Sequence, residues 1–246
     1  QEKADPREAW RIFARHYYLF RGTPVRIWLD HSFAEVFDMD VALSEQTADL
    51  YYDEINAKLA SDGYRPRALL DKFNVAYLST TEGALDDLAH HQTLKHDGLN
   101  QRVATTFRPD DITNPDMRGF AQNLDRLAEM TGRDTANWNG YLDAIRDRRA
   151  YFRQYGATAT DHGHPTAQTS NLDAAACQAL LNACRDGSAN TAQREAFRGQ
   201  MLTEMAGMSR EDGMVMQIHP GSYRNHNASL FNTFGADKGA DIPMRV

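Results

Sequence analysis

The chain has 246 residues, 41% of them apolar, with 34 acidic against 27 basic side chains and a formal net charge of −7. That balance excludes a mainly disordered chain and argues against a nucleic-acid partner, while leaving room for a local basic pocket for a small anion. No run of about 18 apolar residues occurs and no signal peptide opens the chain, so no membrane partner and a cytoplasmic location are expected.

Asp5-Pro6-Arg7-Glu8 reads as a helix start, with an aspartate cap, proline in the first turn and glutamate at the third position. Trp10, Phe13, Tyr17 and Phe20 follow at helical spacing until Gly22. A second helix is predicted from Ser44, with Ala48, Tyr52, Ile55 and Leu59 on one face before Gly63. Residues 1–72 are therefore expected to form an all-helical subdomain.

From residue 73 the pattern changes. Short β-rich runs at 74–81, 102–108, 157–161 and 213–219 each end in polar or glycine-rich sequence. Helical stretches lie between them, at 117–130, 138–155, 173–184 and 192–205. Strands alternating with helices imply parallel pairing and right-handed crossovers, so residues 73–246 are expected to be an α/β portion of a barrel. Cys177 and Cys184 stand one heptad apart on a predicted helix, roughly 10 Å by helical rise and too far to bridge. They read as reduced packing residues.

In a barrel of this kind the reacting groups gather at the carboxyl ends of strands. Those ends carry Thr80-Thr81-Glu82, Phe107-Arg108-Pro109-Asp110, Asp161-His162-Gly163-His164, and His219-Pro220-Gly221 followed by Arg224. The planar fork of Arg108 suits a carboxylate bidentately, although an ion pair with Asp110 or Asp111 on the rim is the plainer reading. His219 closes Met214-Val-Met-Gln-Ile218, a run apolar enough to be buried, and Arg224, Asn225 and Asn227 beyond it supply the charge and amide donors of an anion pocket. His162 and His164 can present two imidazoles to one zinc, but Gly163 and Pro165 suggest a turn. The alternative is that His162 orients the substrate while Asp161 fixes its tautomer. His90, His91 and Glu82, close to Asp86 and Asp87, read as a solvated face.

Thr106-Phe-Arg-Pro-Asp110, Asp161-His-Gly163 and Met216-Gln-x-His-x-Gly-x-x-Arg-Asn-x-Asn227 resemble the uronate isomerase (glucuronate isomerase) family of the amidohydrolase superfamily. The tail Gly235-x-Asp237-x-Gly239-x-Asp241 and the opening helix, similar to the family's helical insertion after its first strand, extend the likeness over most of the chain. The resemblance implies a metal-dependent-hydrolase-type (β/α)8 TIM barrel, here about its second to fifth strands. It also implies interconversion of hexuronic acids between aldose and ketose forms: D-glucuronate to D-fructuronate and D-galacturonate to D-tagaturonate.

By the same resemblance His219 and Arg224 are catalytic, Arg108, Asp161, His162 and Asn225 bind substrate, and Arg108 takes the carboxylate. A divalent metal, zinc, is the implied cofactor and a small acidic sugar the implied ligand; a homo-oligomer is compatible with the sequence, which does not fix the assembly. The metal ligands are not assigned within the chain: the family's His-x-His is expected before residue 1 and its Asp-x-Arg after residue 246. The 246 residues alone are then expected not to fold as a soluble, cooperative monomer, because a part-barrel leaves open sheet edges. Thr81-Glu82-Gly83 departs from the Thr-Asp-Asp of many relatives, and His226 replaces an asparagine. A metal-dependent hydrolase on the same barrel, or a non-catalytic sugar-acid-binding protein, are the rival readings.

Overall fold

Asp5 caps the first helix as its sequence predicts, its carboxylate accepting the N–H of Arg7 at 3.0 Å. The computed structural model describes residues 5–238 and 241–244, so Gly239 of the tail motif lies outside the described residues. The chain divides into two compact units, Gln1–Ala76 and Tyr77–Val246.

The first unit is helical: α1 (Pro6–Arg15), α2 (Pro24–His31), α3 (Ala48–Leu59) and α4 (Pro66–Lys72). Trp10, Phe13, Tyr17 and Phe20 do pack together, around buried Ala14, Phe33, Leu43, Ala48 and Tyr51. Two details differ from expectation. Residues 44–47 form a turn, in which the Thr47 hydroxyl accepts from the Ser44 N–H at 2.9 Å, and α3 starts only at Ala48. Its inward positions are Ala48, Tyr51 and Ile55, whereas Leu59 is 52% exposed. The i, i+3, i+7 stripe runs one residue earlier than Tyr52 suggested.

The second unit alternates strands and helices. Its elements are β1 (Leu78–Gly83), α5 (Ala89–His96), β2 (Val103–Arg108), α6 (Asp110–Thr113), α7 (Phe120–Thr131), α8 (Trp138–Arg153), β3 (Ala159–His162), α9 (Ala174–Asp186), α10 (Thr191–Asp212) and β4 (Val215–Ile218). A small hairpin, β5 (Ser222–Tyr223) with β6 (Ile242–Pro243), encloses α11 (Ala228–Phe234). The main sheet is parallel and its spatial order, β1-β2-β3-β4, follows the chain.

One face of this sheet carries the helices and the core. Phe107 and Phe152 meet edge to face at 5.0 Å, and Leu124, Ile145, Leu181, Phe197, Met201 and Met205 are fully buried around them. Two buried arginines fasten α8. Arg148 donates to the carbonyls of Ala84 and Asp86, at 2.8 and 2.6 Å, holding the segment after β1. Arg149, 1% exposed, makes a fork on Asp212 at 2.7 and 3.0 Å and so ties α8 to the end of α10. A buried pair of this type is costly to break, because the surviving charge is left without a partner.

The run before His219 was expected to be buried, and only Met214 is. Val215 is 64% and Ile218 44% exposed. β4 is the last strand in the sheet order, so among the described residues it has a neighbour on one side only. Cys177 and Cys184 are free thiols, both buried against the core.

Candidate functional site

Side chains alternate between the two faces of a strand. In β2, Phe107 turns to the helices, which puts Arg108 on the opposite face at the strand's carboxyl end. In β3, Asp161 shares that face with Arg108, and His219 follows directly on β4. These three residues, from three neighbouring strand ends, form one cluster.

Asp161 is its centre. One carboxylate oxygen accepts from Nη2 of Arg108, and the other lies 2.9 Å from Nε2 of His219. The same Nε2 is 3.0 Å from Nη2 of Arg108. A single ring nitrogen cannot be donor and acceptor at once. Carrying a proton, Nε2 donates to Asp161; without one, it accepts from Arg108. In either state the ring nitrogen has one partner in the cluster, so the imidazole is held in place where it could serve in general acid–base work.

The fork of Arg108 is not open. Nη2 is engaged by Asp161, and Nε is buried, 3.8 Å from an Asp110 carboxylate oxygen. Nη1 has no hydrogen-bond partner among the described residues, so a substrate carboxylate would meet one N–H edge rather than the bidentate fork. The expected rim pair of Arg108 with Asp110 is present as this longer contact. Asp110 directs both carboxylate oxygens at the N–H of Gly163, each at 3.1 Å. This contact was not legible beforehand, since nothing in the spacing joins residues 110 and 163.

His162 lies on the other face of β3. It is fully buried, with Nε2 2.9 Å from the Thr160 hydroxyl, and its Nδ1 has no hydrogen-bond partner among the described residues. Asp161 therefore does not fix its tautomer, contrary to expectation; strand alternation puts adjacent residues on opposite faces. His164 is also buried, with its ring centroid 6.0 Å from that of His162. His91 and Glu82 correct another expectation. Rather than forming a solvated face, His91 is 4% exposed, 2.9 Å from the Thr80 hydroxyl and 3.2 Å from Glu82, whose other oxygen accepts from Thr105.

Arg224 and Asn225 sit apart from the cluster, beside the β5–β6 hairpin. Arg224 pairs with Asp241 at 3.1 Å, and the backbone N–H of Asn225 donates to the same carboxylate at 2.8 Å. Asn227 caps α11 by accepting from Leu230. Among the described residues no group of three or more histidine, cysteine, aspartate or glutamate side chains is arranged to hold a metal ion. His219 and Asp161 lie side by side, but the Arg108 guanidinium contacts both and supplies the positive charge there. These residues by themselves do not fit a metal site.

Burial holds His162 down to about 3, helped by the charges of His164 and Arg149, and holds His164 down to about 4. Unfolded, both titrate near ~6.5. The unfolded chain takes up these protons first, so the stability the two residues contribute is present above that value and lost as pH falls towards the folded ones. Asp111, pushed up to about 6 by burial, acts in the opposite sense: its contribution is present at low pH and lost as pH rises through 6. His162→Gln isolates the first effect. Its melting temperature is expected to fall less steeply than the native protein's between about pH 6.5 and 4; equal slopes would remove His162 as a source of acid sensitivity.

No helix among the described residues is long and apolar enough to cross a membrane. The sequence model of the glucuronate isomerase family matches residues 2–245. Two uronate isomerases, from Mesorhizobium japonicum and Rhizorhabdus wittichii, are 56% and 57% identical over 99% and 98% of this chain and 52% of their own length. The chain spans about half the length of the curated relatives it matches. A crystal structure of glucuronate isomerase from Caulobacter crescentus superposes with a TM-score of 0.95 at 50% identity, covering 99% of this chain and 51% of that one. A uronate isomerase from Thermotoga maritima gives 0.92 at 26% identity, covering 99% and 55%. The four parallel strands with their helices are accordingly part of a TIM barrel of the amidohydrolase type. The chain belongs to the glucuronate isomerase family.

Proposed function

We propose that this chain contributes to an aldose–ketose isomerase of hexuronic acids, converting D-glucuronate to D-fructuronate and D-galacturonate to D-tagaturonate. The observation that carries the reading is the meeting of Arg108, Asp161 and His219 at three adjacent strand ends, in a chain of this family.

The reaction moves a proton between neighbouring carbons while negative charge rests on an enediolate oxygen. His219, held by Asp161, is the proposed group that moves the proton. Arg108 offers Nη1 to the substrate carboxylate and its delocalised charge to the developing anion. Arg224 and Asn225 join the site in this reading by turning towards substrate oxygens, which requires Arg224, half-exposed, to leave its ion pair with Asp241. His162 supports β3 from behind. The family is generally metal-dependent, and a divalent ion, zinc, belongs to the proposal as a cofactor of the complete protein. Its ligands are expected from the His-x-His and Asp-x-Arg motifs of the family.

The test is direct. The complete protein, incubated with D-glucuronate and with D-galacturonate, is expected to form the corresponding ketose from at least one. No ketose from either would overturn the reading.

A further inference from the structure

An aspartate that opens a helix ordinarily accepts N–H groups of its own first turn. Asp110 instead stands one place inside α6, after the N-cap Pro109, whose carbonyl accepts the N–H groups of Ile112 and Thr113 at 2.9 and 3.0 Å, and its side chain makes no capping bond to that turn. Both Asp110 oxygens leave the helix for the N–H of Gly163, just beyond β3. Burial makes this carboxylate costly, raising its pKa above the usual range against the opposing pull of the Gly163 N–H and Arg108. A largely buried carboxylate whose hydrogen-bond donor among the described residues lies on another strand end is poorly explained by local helix capping.

What that bond reaches is the cluster. Gly163 is two residues beyond Asp161. A Cβ placed on it would lie 2.5 Å from Asp110 Oδ2 and 3.2 Å from Cε1 of His219. Asp110 and the His219 ring therefore both crowd the space beside Gly163, and the backbone N–H of His219 donates to the His162 carbonyl at 3.1 Å. On its other flank, Asp110 stands 3.8 Å from Nε of Arg108. One carboxylate touches the setting of all three strand ends.

We propose that Asp110 is a positioning residue: through Gly163 and the Nε edge of Arg108 it holds Arg108, Asp161 and His219 in register. The kinetic part of its test rests on the isomerase reading; the backbone part does not. In the complete protein, Asp110→Ala is expected to lower kcat about 100-fold with KM within about threefold, the loss typical of a misplaced but intact reacting group. Deuterium uptake in the peptide containing Gly163 is expected to quicken in the same variant. Asp110→Asn retains an oxygen for the Gly163 N–H and is expected to restore kcat to within about fivefold and to restore slow uptake. Should Asp110→Ala not fold, Asp110→Ser, too short to reach Gly163, carries the same expectations. A kcat within about threefold of native in the alanine or serine variant would overturn the assignment, as would an asparagine variant no better than alanine. If the native protein is inactive on uronates, the isomerase reading fails alone and exchange at Gly163 decides: protection lost in alanine and regained in asparagine supports the brace, and unchanged protection refutes it.

Discussion

Arg108→Ala is expected to raise KM for D-glucuronate about 100-fold in the complete protein, and to lower kcat as well. The first effect follows from losing the one N–H edge, Nη1, that the cluster leaves open to a carboxylate. The second follows from what remains. Asp161 and Asp110 stand on either side of a single guanidinium, and removing it leaves two part-buried carboxylates facing His219 alone. Truncating one partner of such a pair costs about 2–5 kcal/mol, and about 1.4 kcal/mol is tenfold in an equilibrium constant, so two decades lie inside that range. Arg108→Lys is not expected to rescue activity, because a point charge cannot serve Asp161 and the Asp110 side together as a planar fork does. Steady-state kinetics on both uronates decide the matter; an unchanged KM removes Arg108 from the substrate site.

Gly163→Ala is expected to be nearly as damaging to turnover, for a steric reason. Gly163 does not have a positive φ, so an alanine there is conformationally permitted. Its Cβ, however, would lie 2.5 Å from Asp110 Oδ2 and 3.2 Å from the His219 ring. Overpacking of this size costs about 1–3 kcal/mol of stability, which a folded domain survives, whereas the reacting groups are displaced and kcat falls about 100-fold. Gly207→Ala is the matched control. A Cβ at that helical position meets nothing within 4 Å, and a stability gain of about 0.4–1 kcal/mol with native kinetics is expected. Equal kinetics in the two variants would show that the crowding at Gly163 is relieved at no cost to the site.

The four strands and the longer helices were legible because the period of their apolar residues is strong and each strand run ends in polar sequence. Short helices were harder. α2 and α4 begin at Thr23-Pro24 and Arg65-Pro66, signals that open a helix but are followed by few buried residues. The exposure of Val215 and Ile218 depends on where β4 falls in the sheet, which no local pattern encodes. At the site, Arg108, Asp161 and His219 could be picked out by residue type at strand ends. That Asp161 and His162 face opposite ways is also legible, from strand alternation alone. Asp110 differs: its bond to Gly163 joins positions distant along the chain, and only the folded backbone reveals it.

The sheet order also shapes how the second unit can be made. Because β1, β2, β3 and β4 are neighbours in the order of synthesis, each strand emerging from the ribosome finds its partner already in place. Within this sheet the pairings can close in chain order, although each parallel pair must first span its helical crossover, which makes such a sheet slow to form. Among the described strands the Arg108–Asp161–His219 cluster is completed only when His219 arrives, after the core residues around Phe107 and Phe152 have been synthesised.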